Sequence, residues 1–200
     1  MNAAKRTSLK PITRILSAIA GLAMFSTIVL PIWKIELTAP QYPEGLEMFI
    51  YSNKLGGEVD IINGLNHYIG MHEIHEKDFV EFQILPYVLG LLAVFGILTA
   101  IVNRKWFFYL WCAFFVTFVI VLGLDFYFWL YNYGHNLDPT APIQVPGMTY
   151  QPPLIGFKQL LNFGAFSIPA SGGWVMAAIG TVLAALVGYE IKSKKQSDDS

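Results

Sequence analysis

The sequence predicts an all-α integral membrane protein, with four transmembrane helices and two structured exoplasmic loops. Three observations predict this class. The 200 residues are 54% hydrophobic and only 14% charged, whereas charge in an ordinary soluble domain runs near a quarter. The apolar residues gather in four runs near the length that crosses a bilayer. Nine of the thirteen basic residues fall in the N-terminal tail, the Arg104-Lys105 turn and the C-terminal tail, three segments that four spans bring to one side.

Taken in order, residues 1–14 form a basic tail carrying Lys5, Arg6, Lys10 and Arg14. The run 15–33 follows a basic segment as a signal peptide would. It is longer than a usual apolar region of that kind, however, and no small-x-small cleavage site follows it, so it reads as an uncleaved first span. Pro31 closes it and Trp33 sits at the interface. Residues 34–83 are hydrophilic and punctuated by Pro40, Pro43, Gly45, Gly56 and Gly57. A strand-like run, Met48-Phe49-Ile50-Tyr51, precedes the Gly56-Gly57 turn, and a histidine-rich helix follows.

The second span is 84–102, with Pro86 in its first turn. A basic turn at 103–105 leads into the third span, 106–131, bracketed by Trp106 and Trp129 as interfacial anchors. Asp125 lies near its distal end. Residues 132–171 hold six prolines, including Pro152, Pro153 and Pro169, and predict an extended loop packed over something. In the fourth span, 172–191, Gly180, Ala184 and Gly188 recur every four residues. That small-residue face suits close helix contact in a homo- or hetero-oligomer. The tail 192–200 is expected to be disordered.

The positive-inside bias assigns the basic segments to the cytoplasm. The expected location is therefore a bacterial inner membrane, with both termini cytoplasmic and both long loops outside. All four histidines then lie outside. Three of them fall in Gly64-Leu65-Asn66-His67-Tyr68-Ile69-Gly70-Met71-His72-Glu73-Ile74-His75-Glu76. If that stretch is helical, one residue per 100° puts His67, Met71 and His75 within about 80° of one another. Ile62, Leu65 and Ile69 form the opposite, packing face. His72 is about 60° from His75 and within reach of the same ion. Imidazole and thioether together suit copper better than calcium, magnesium or manganese. His135, from the second loop, could complete the set. A polar helix face that happens to be rich in histidine is the plainer reading. Nine acidic residues against three lysines across 34–83 would favour cations there, although a solvated acidic loop needs no ligand.

Several functions are disfavoured. Cys112 is the single cysteine, so disulfides, zinc ribbons, iron–sulfur centres and c-type haem have no basis. No histidine lies within a span for b-type haem, and no ionisable residue sits at mid-membrane for coupled transport. His72-Glu73-Ile74-His75 lacks the four-residue histidine spacing of the zinc-protease motif. No catalytic constellation is recognisable, and no nucleic-acid partner is expected.

Four phrases look familiar as a set: Tyr42-Pro43-Glu44-Gly45-Leu46, the run from Gly64 to Met71, Tyr133-Gly134-His135-Asn136-Leu137-Asp138-Pro139, and Val145-Pro146-Gly147-Met148-Thr149-Tyr150-Gln151-Pro152-Pro153. Together they resemble an uncharacterised family of small bacterial membrane proteins associated with nitrous oxide reductase gene clusters. The resemblance implies a neighbourhood of a periplasmic copper enzyme, its copper delivery factors and its electron donors. It also draws attention to Glu44, Asp138 and Met148 within the shared phrases. The expected metal set is thus His67, Met71, His72, His75, His135, Glu44, Asp138 and Met148, and the expected function is assistance in copper delivery or enzyme maturation. The alternative is a metal-free adaptor or electron-transfer subunit docking a periplasmic redox enzyme. A quinol site would require a pocket around Asp125, Tyr127 and His135.

Overall fold

The computed structural model describes residues 7–198. The outermost parts of both expected tails, Lys5 and Arg6 among them, lie outside those residues. The first departure from an all-α protein begins at Trp33. Strand β1 (Trp33–Ala39) alternates Trp33, Ile35, Leu37 and Ala39 with Lys34, Glu36 and Thr38, the period of two that sends side chains to opposite faces. It pairs antiparallel with β2 (Tyr42–Ile50), which pairs in turn with β3 (Leu55–Gly57). The expected strand-like run thus lies at the end of β2.

The proline-rich segment supplies a second hairpin, β4 (Gly156–Leu160) and β5 (Phe163–Pro169). Strand β5 docks on β1 from Trp33↔Pro169 to Thr38↔Gly164. The sheet order is β3-β2-β1-β5-β4. Two stretches expected as loops are therefore one five-stranded antiparallel sheet with β1 at its centre, and the all-α expectation is overturned.

The described residues hold five α-helices: α1 (Pro11–Ser26), α2 (Val59–Ile69), α3 (Glu81–Val102), α4 (Lys105–His135) and α5 (Ser171–Asp198). Three segments are long and apolar enough to cross a membrane: α3, α4 and Ser171–Ser193 of α5. The expected span at 15–33 does not form as one helix. At 16 residues, α1 is about 24 Å long, short of a hydrocarbon core of about 30 Å. Its end has local causes. Ser26 and Thr27 turn their hydroxyls back onto the carbonyls of Ala23 and Met24, both at 2.7 Å. Pro31 follows, and Trp33 is already committed to the sheet. Two smaller expectations also change. Helix α3 starts at Glu81, so Pro86 lies beyond its first turn, and α5 runs as helix to Asp198 through most of the tail expected to be disordered.

Helix α1 runs antiparallel along α3, with Gly21 against Ala93 and Gly96. A Cβ on Gly21 would meet the Ala93 carbonyl oxygen at 2.7 Å. Of the small residues expected to form a contact face on α5, Gly180 meets the Phe115 ring and Gly188 faces open space. The basic segments gather at one end of the bundle. There the Leu9 N–H donates to Asn103 Oδ1 at 3.1 Å. The fully buried Glu190 of α5 accepts from the Lys10 N–H and Thr13 Oγ1 through Oε1, at 2.8 and 2.7 Å. Its Oε2 pairs with Lys105 Nζ at 3.1 Å.

The sheet and α2 occupy the opposite end. Helix α4 joins the two modules, because its 31 residues extend about 46 Å. Phe108, Trp111 and Phe115 pack in the bundle, while Leu130 packs with Ile35, Leu46, Met48, Ile62 and Ile74 beneath the sheet. Trp129, expected as an interfacial anchor, lies among the rings of Phe79, Phe126 and Tyr133, with centroids 5.4, 5.9 and 4.6 Å away.

Candidate functional site

The histidine-rich stretch begins as expected. Helix α2 buries Ile62 and Ile69 and half-buries Leu65 against the sheet. It then ends six residues earlier than a common face for His67, Met71 and His75 requires. Gly70 adopts φ +80° and closes the helix, with its N–H and that of Met71 both donating to the Asn66 carbonyl. A side chain at Gly70 would also strike the Asp138 backbone at 2.9 Å. Beyond the cap, Ile74 returns to the core at 5% exposure, held by Asn63. The chain from Met71 to His75 has no regular secondary structure, and the predicted helical face does not form.

Three of the eight expected ligands stand apart. His75 is exposed and pairs with Glu73, Nε2 to Oε2 at 3.0 Å. His135 ends α4 on the opposite segment, with its ring stacked on Tyr131 at 3.9 Å and Nδ1 2.9 Å from the Tyr131 carbonyl oxygen. Glu44 lies exposed on β2. Among the described residues, no hydrogen bond, ion pair or ring contact joins these three to the other five.

The remaining five gather about one seam. The Asp138 N–H donates to the Gly70 carbonyl at 2.8 Å and the Ile143 N–H to that of Tyr68 at 2.9 Å, which stitches the second segment onto the end of α2. Met71 and Met148 both pack, half-buried, on the cluster of Ile69, Tyr150, Leu160 and Ala165. The Thr140 hydroxyl and N–H, at 2.7 and 2.8 Å, hold the Asp138 carboxyl below the ordinary carboxylate range. His72 and His67 nearby add weaker pulls in the same direction. Even so, among the described residues no three His, Cys, Asp or Glu side chains are grouped to hold a metal ion.

The acidic character of 34–83 is partly structural. Lys34 bridges Glu36 and Glu47, Glu58 Oε2 accepts the Glu47 N–H, and Glu76 Oε1 accepts the Leu55 N–H. A lateral groove of about 840 Å³ runs between α3 and α4 from Phe107 to Glu81 and Asp125. Asp125 lines it, whereas Tyr127 and His135, the other two residues suggested for a quinol site, do not.

Sequence reasoning missed the open edge of the sheet. Strand β4 has no neighbour on its outer side among the described residues. Ile155, Phe157 and Leu161 stand 64%, 63% and 41% exposed along it. The alternation of Gly156-Phe157-Lys158-Gln159-Leu160 and the Leu161-Asn162 turn carry that signal, with Leu161 taking φ +55°. Comparison with family models, with curated proteins and with solved structures gives no match to this chain.

Proposed function

We propose that this chain is a membrane-anchored accessory protein without catalytic activity, whose sheet module docks a periplasmic partner. The observation that carries the reading is β4, which has no strand on its outer side among the described residues and has Ile155, Phe157 and Leu161 exposed along it. Natural edges are usually blunted by charge, proline or a covering element. On β4 the one charge is Lys158, whose ammonium turns back onto the Gln151 carbonyl at 3.0 Å. The edge beside it suits addition of an extended partner segment, with backbone hydrogen bonds giving affinity and alternate side chains giving selectivity. The three apolar helices hold the module at a bilayer. Basic residues at the far end of the bundle favour a cytoplasmic placement of that end, with the sheet outside the inner membrane. The shorter α1 also runs from the basic end to the sheet, beside α3, so that both termini fall on the basic side. The resemblance to proteins associated with nitrous oxide reductase clusters supplies the partner class, a periplasmic copper enzyme or one of its maturation factors.

The test is co-purification of tagged full-length protein with nitrous oxide reductase from membranes. Ile155→Asp with Phe157→Asp should abolish recovery of the enzyme, while alanine at all four histidines should leave it intact. The reverse pattern overturns the docking reading.

A second reading, transient copper capture, is favoured by the seam where Asp138 lies near His67 and His72 while Met71 and Met148 share one cluster. Copper bound per chain should then fall in His67→Ala with His72→Ala and persist in His75→Ala. Equal copper content in all three proteins removes that reading.

A further inference from the structure

The lateral groove between α3 and α4 carries two carboxylates at its sheet end, Glu81 from the first turn of α3 and Asp125 from α4. They lie within electrostatic reach of each other. Among the described residues neither carboxylate is ion-paired or hydrogen-bonded. No lysine, arginine or histidine lines the groove, and away from that end its walls are aliphatic and phenyl side chains with Thr117 as the one hydroxyl. No residue of α1 or α5 lines it either. Ile84, Leu91 and Val121 stand 53%, 70% and 59% exposed along it, so the groove is open on the face that a bilayer would cover. Charges at the edge of an apolar medium are costly unless they are paired. Two carboxylates at the mouth of this groove therefore call for a cation.

We propose that the sheet end of this groove binds a phospholipid whose headgroup carries a primary ammonium. Such a group has three N–H donors, enough for charge-assisted hydrogen bonds to both carboxylates. An anionic headgroup would meet two like charges, and a choline headgroup has the charge without the N–H. The nearest Lys or Arg along the chain is Lys77, four residues before Glu81, exposed and without an ion pair among the described residues. It suits the phosphate of a zwitterionic headgroup. Acyl chains reach half-way through a hydrocarbon core of about 30 Å, and about 15 Å is ten residues of helix. That depth carries one lipid from Glu81 past Val88 to Leu91, and from Asp125 past Val121, and leaves Leu98 to the opposite leaflet. The site rests on the apolar helices spanning a bilayer, as the accessory-protein reading does, but not on the β4 edge.

The experiment is native mass spectrometry of delipidated full-length protein in detergent. The protein is offered an equimolar mixture of phosphatidylethanolamine, phosphatidylcholine and phosphatidylglycerol with identical palmitoyl and oleoyl chains. Wild type should retain one phosphatidylethanolamine per chain, with a preference on the order of tenfold over the other two, as for hydrogen bonds to charged groups. Glu81→Gln with Asp125→Asn should retain the three lipids alike. Val88→Trp, which fills the groove at the depth of the chains, should lower retention, whereas Leu98→Trp should leave it unchanged. A transmembrane helix lying along the whole groove would be displaced by both. The wild-type comparison of lipids stands even if a variant folds poorly. Equal retention of the three lipids by wild type overturns the proposal, as does an unchanged preference in the carboxylate variant or a lipid-free dimer. Protein that stays soluble without detergent would remove the bilayer anchoring itself, and the site with it.

Discussion

The side-chain amide of Asn63 closes a two-point clasp on the backbone of Ile74. Its Nδ2 donates to the Ile74 carbonyl at 3.1 Å, and the Ile74 N–H donates to its Oδ1 at 2.8 Å. Helix α2 and the irregular segment that follows it are thereby held side by side, and His72 and His75 are carried along the outside. Replacing Asn63 with alanine leaves both backbone groups of Ile74 unpaired in a buried setting, at about 1–3 kcal/mol each. Hydrogen exchange should show amides 71–78 losing protection while those of α3 keep theirs. Unchanged protection at Ile74 would show that the clasp does not hold the segment.

A second close approach fixes where the proline-rich segment sits. Gly134, in the last turn of α4, lies so near Gln151 that a Cβ would come within 2.3 Å of its Cα and N. The Tyr150 N–H donates to the Gly134 carbonyl at 2.9 Å. Gly134→Ala must therefore push backbone against backbone. A loss of about 1–3 kcal/mol is expected, the usual range for overpacking. Thermal unfolding of the purified protein checks it, beside Gly188→Ala, which meets nothing within 4 Å and should leave the midpoint unchanged or slightly raised.

The pH dependence of the sheet rests on Lys34. Register places Glu36 directly opposite Glu47, a like-charge pair that destabilises strands. Lys34 bonds both carboxylates, and its hydrogen bond to Glu36 is the main cause raising its ammonium above the ordinary value of 10.5. A group raised in the folded state contributes stability that is complete below its unfolded value and disappears as pH climbs through the folded one. The wild-type melting temperature should therefore fall above about pH 10.5 more steeply than that of Lys34→Met, which is less stable at neutral pH. Parallel curves for the two proteins would remove the bridge from the account.

Long apolar runs were legible from the sequence because bilayer-length stretches of Leu, Ile, Val and Phe leave little else to read. The packing face of α2 was legible too, since Ile62, Leu65 and Ile69 follow the helical period. The sheet was not. In β1 the alternation of Trp33, Ile35 and Leu37 with Lys34, Glu36 and Thr38 directly abuts an apolar helix, and the longer period absorbed its first residue. The β4–β5 hairpin is short and glycine-rich, and its pairing partner β1 lies more than a hundred residues away. The metal face failed for a narrower reason. Gly70 was counted as one more helical position, although a glycine followed by a change of pattern is a common helix stop.

Glu190 provides the sharpest test of how the bundle is held. It accepts two hydrogen bonds from α1 through Oε1 and pairs with Lys105 of α4 through Oε2, so one carboxylate fastens three helices. Glutamine in its place keeps an acceptor for Lys10 and Thr13 but leaves the Lys105 ammonium, only 16% exposed, without a counter-charge. Breaking one half of a buried pair costs about 3–5 kcal/mol, or about 6–20 °C in melting temperature at roughly 2–4 °C per kcal/mol. Removing the second charge should reverse most of that loss, because a buried pair replaced by neutral groups of similar volume is often close to neutral. Glu190→Gln combined with Lys105→Met should therefore melt well above Glu190→Gln alone. If Glu190→Gln, Lys105→Met alone and the double variant differ only additively, the ion pair is not what joins α4 to α5, and the two bonds to the start of α1 carry the joint.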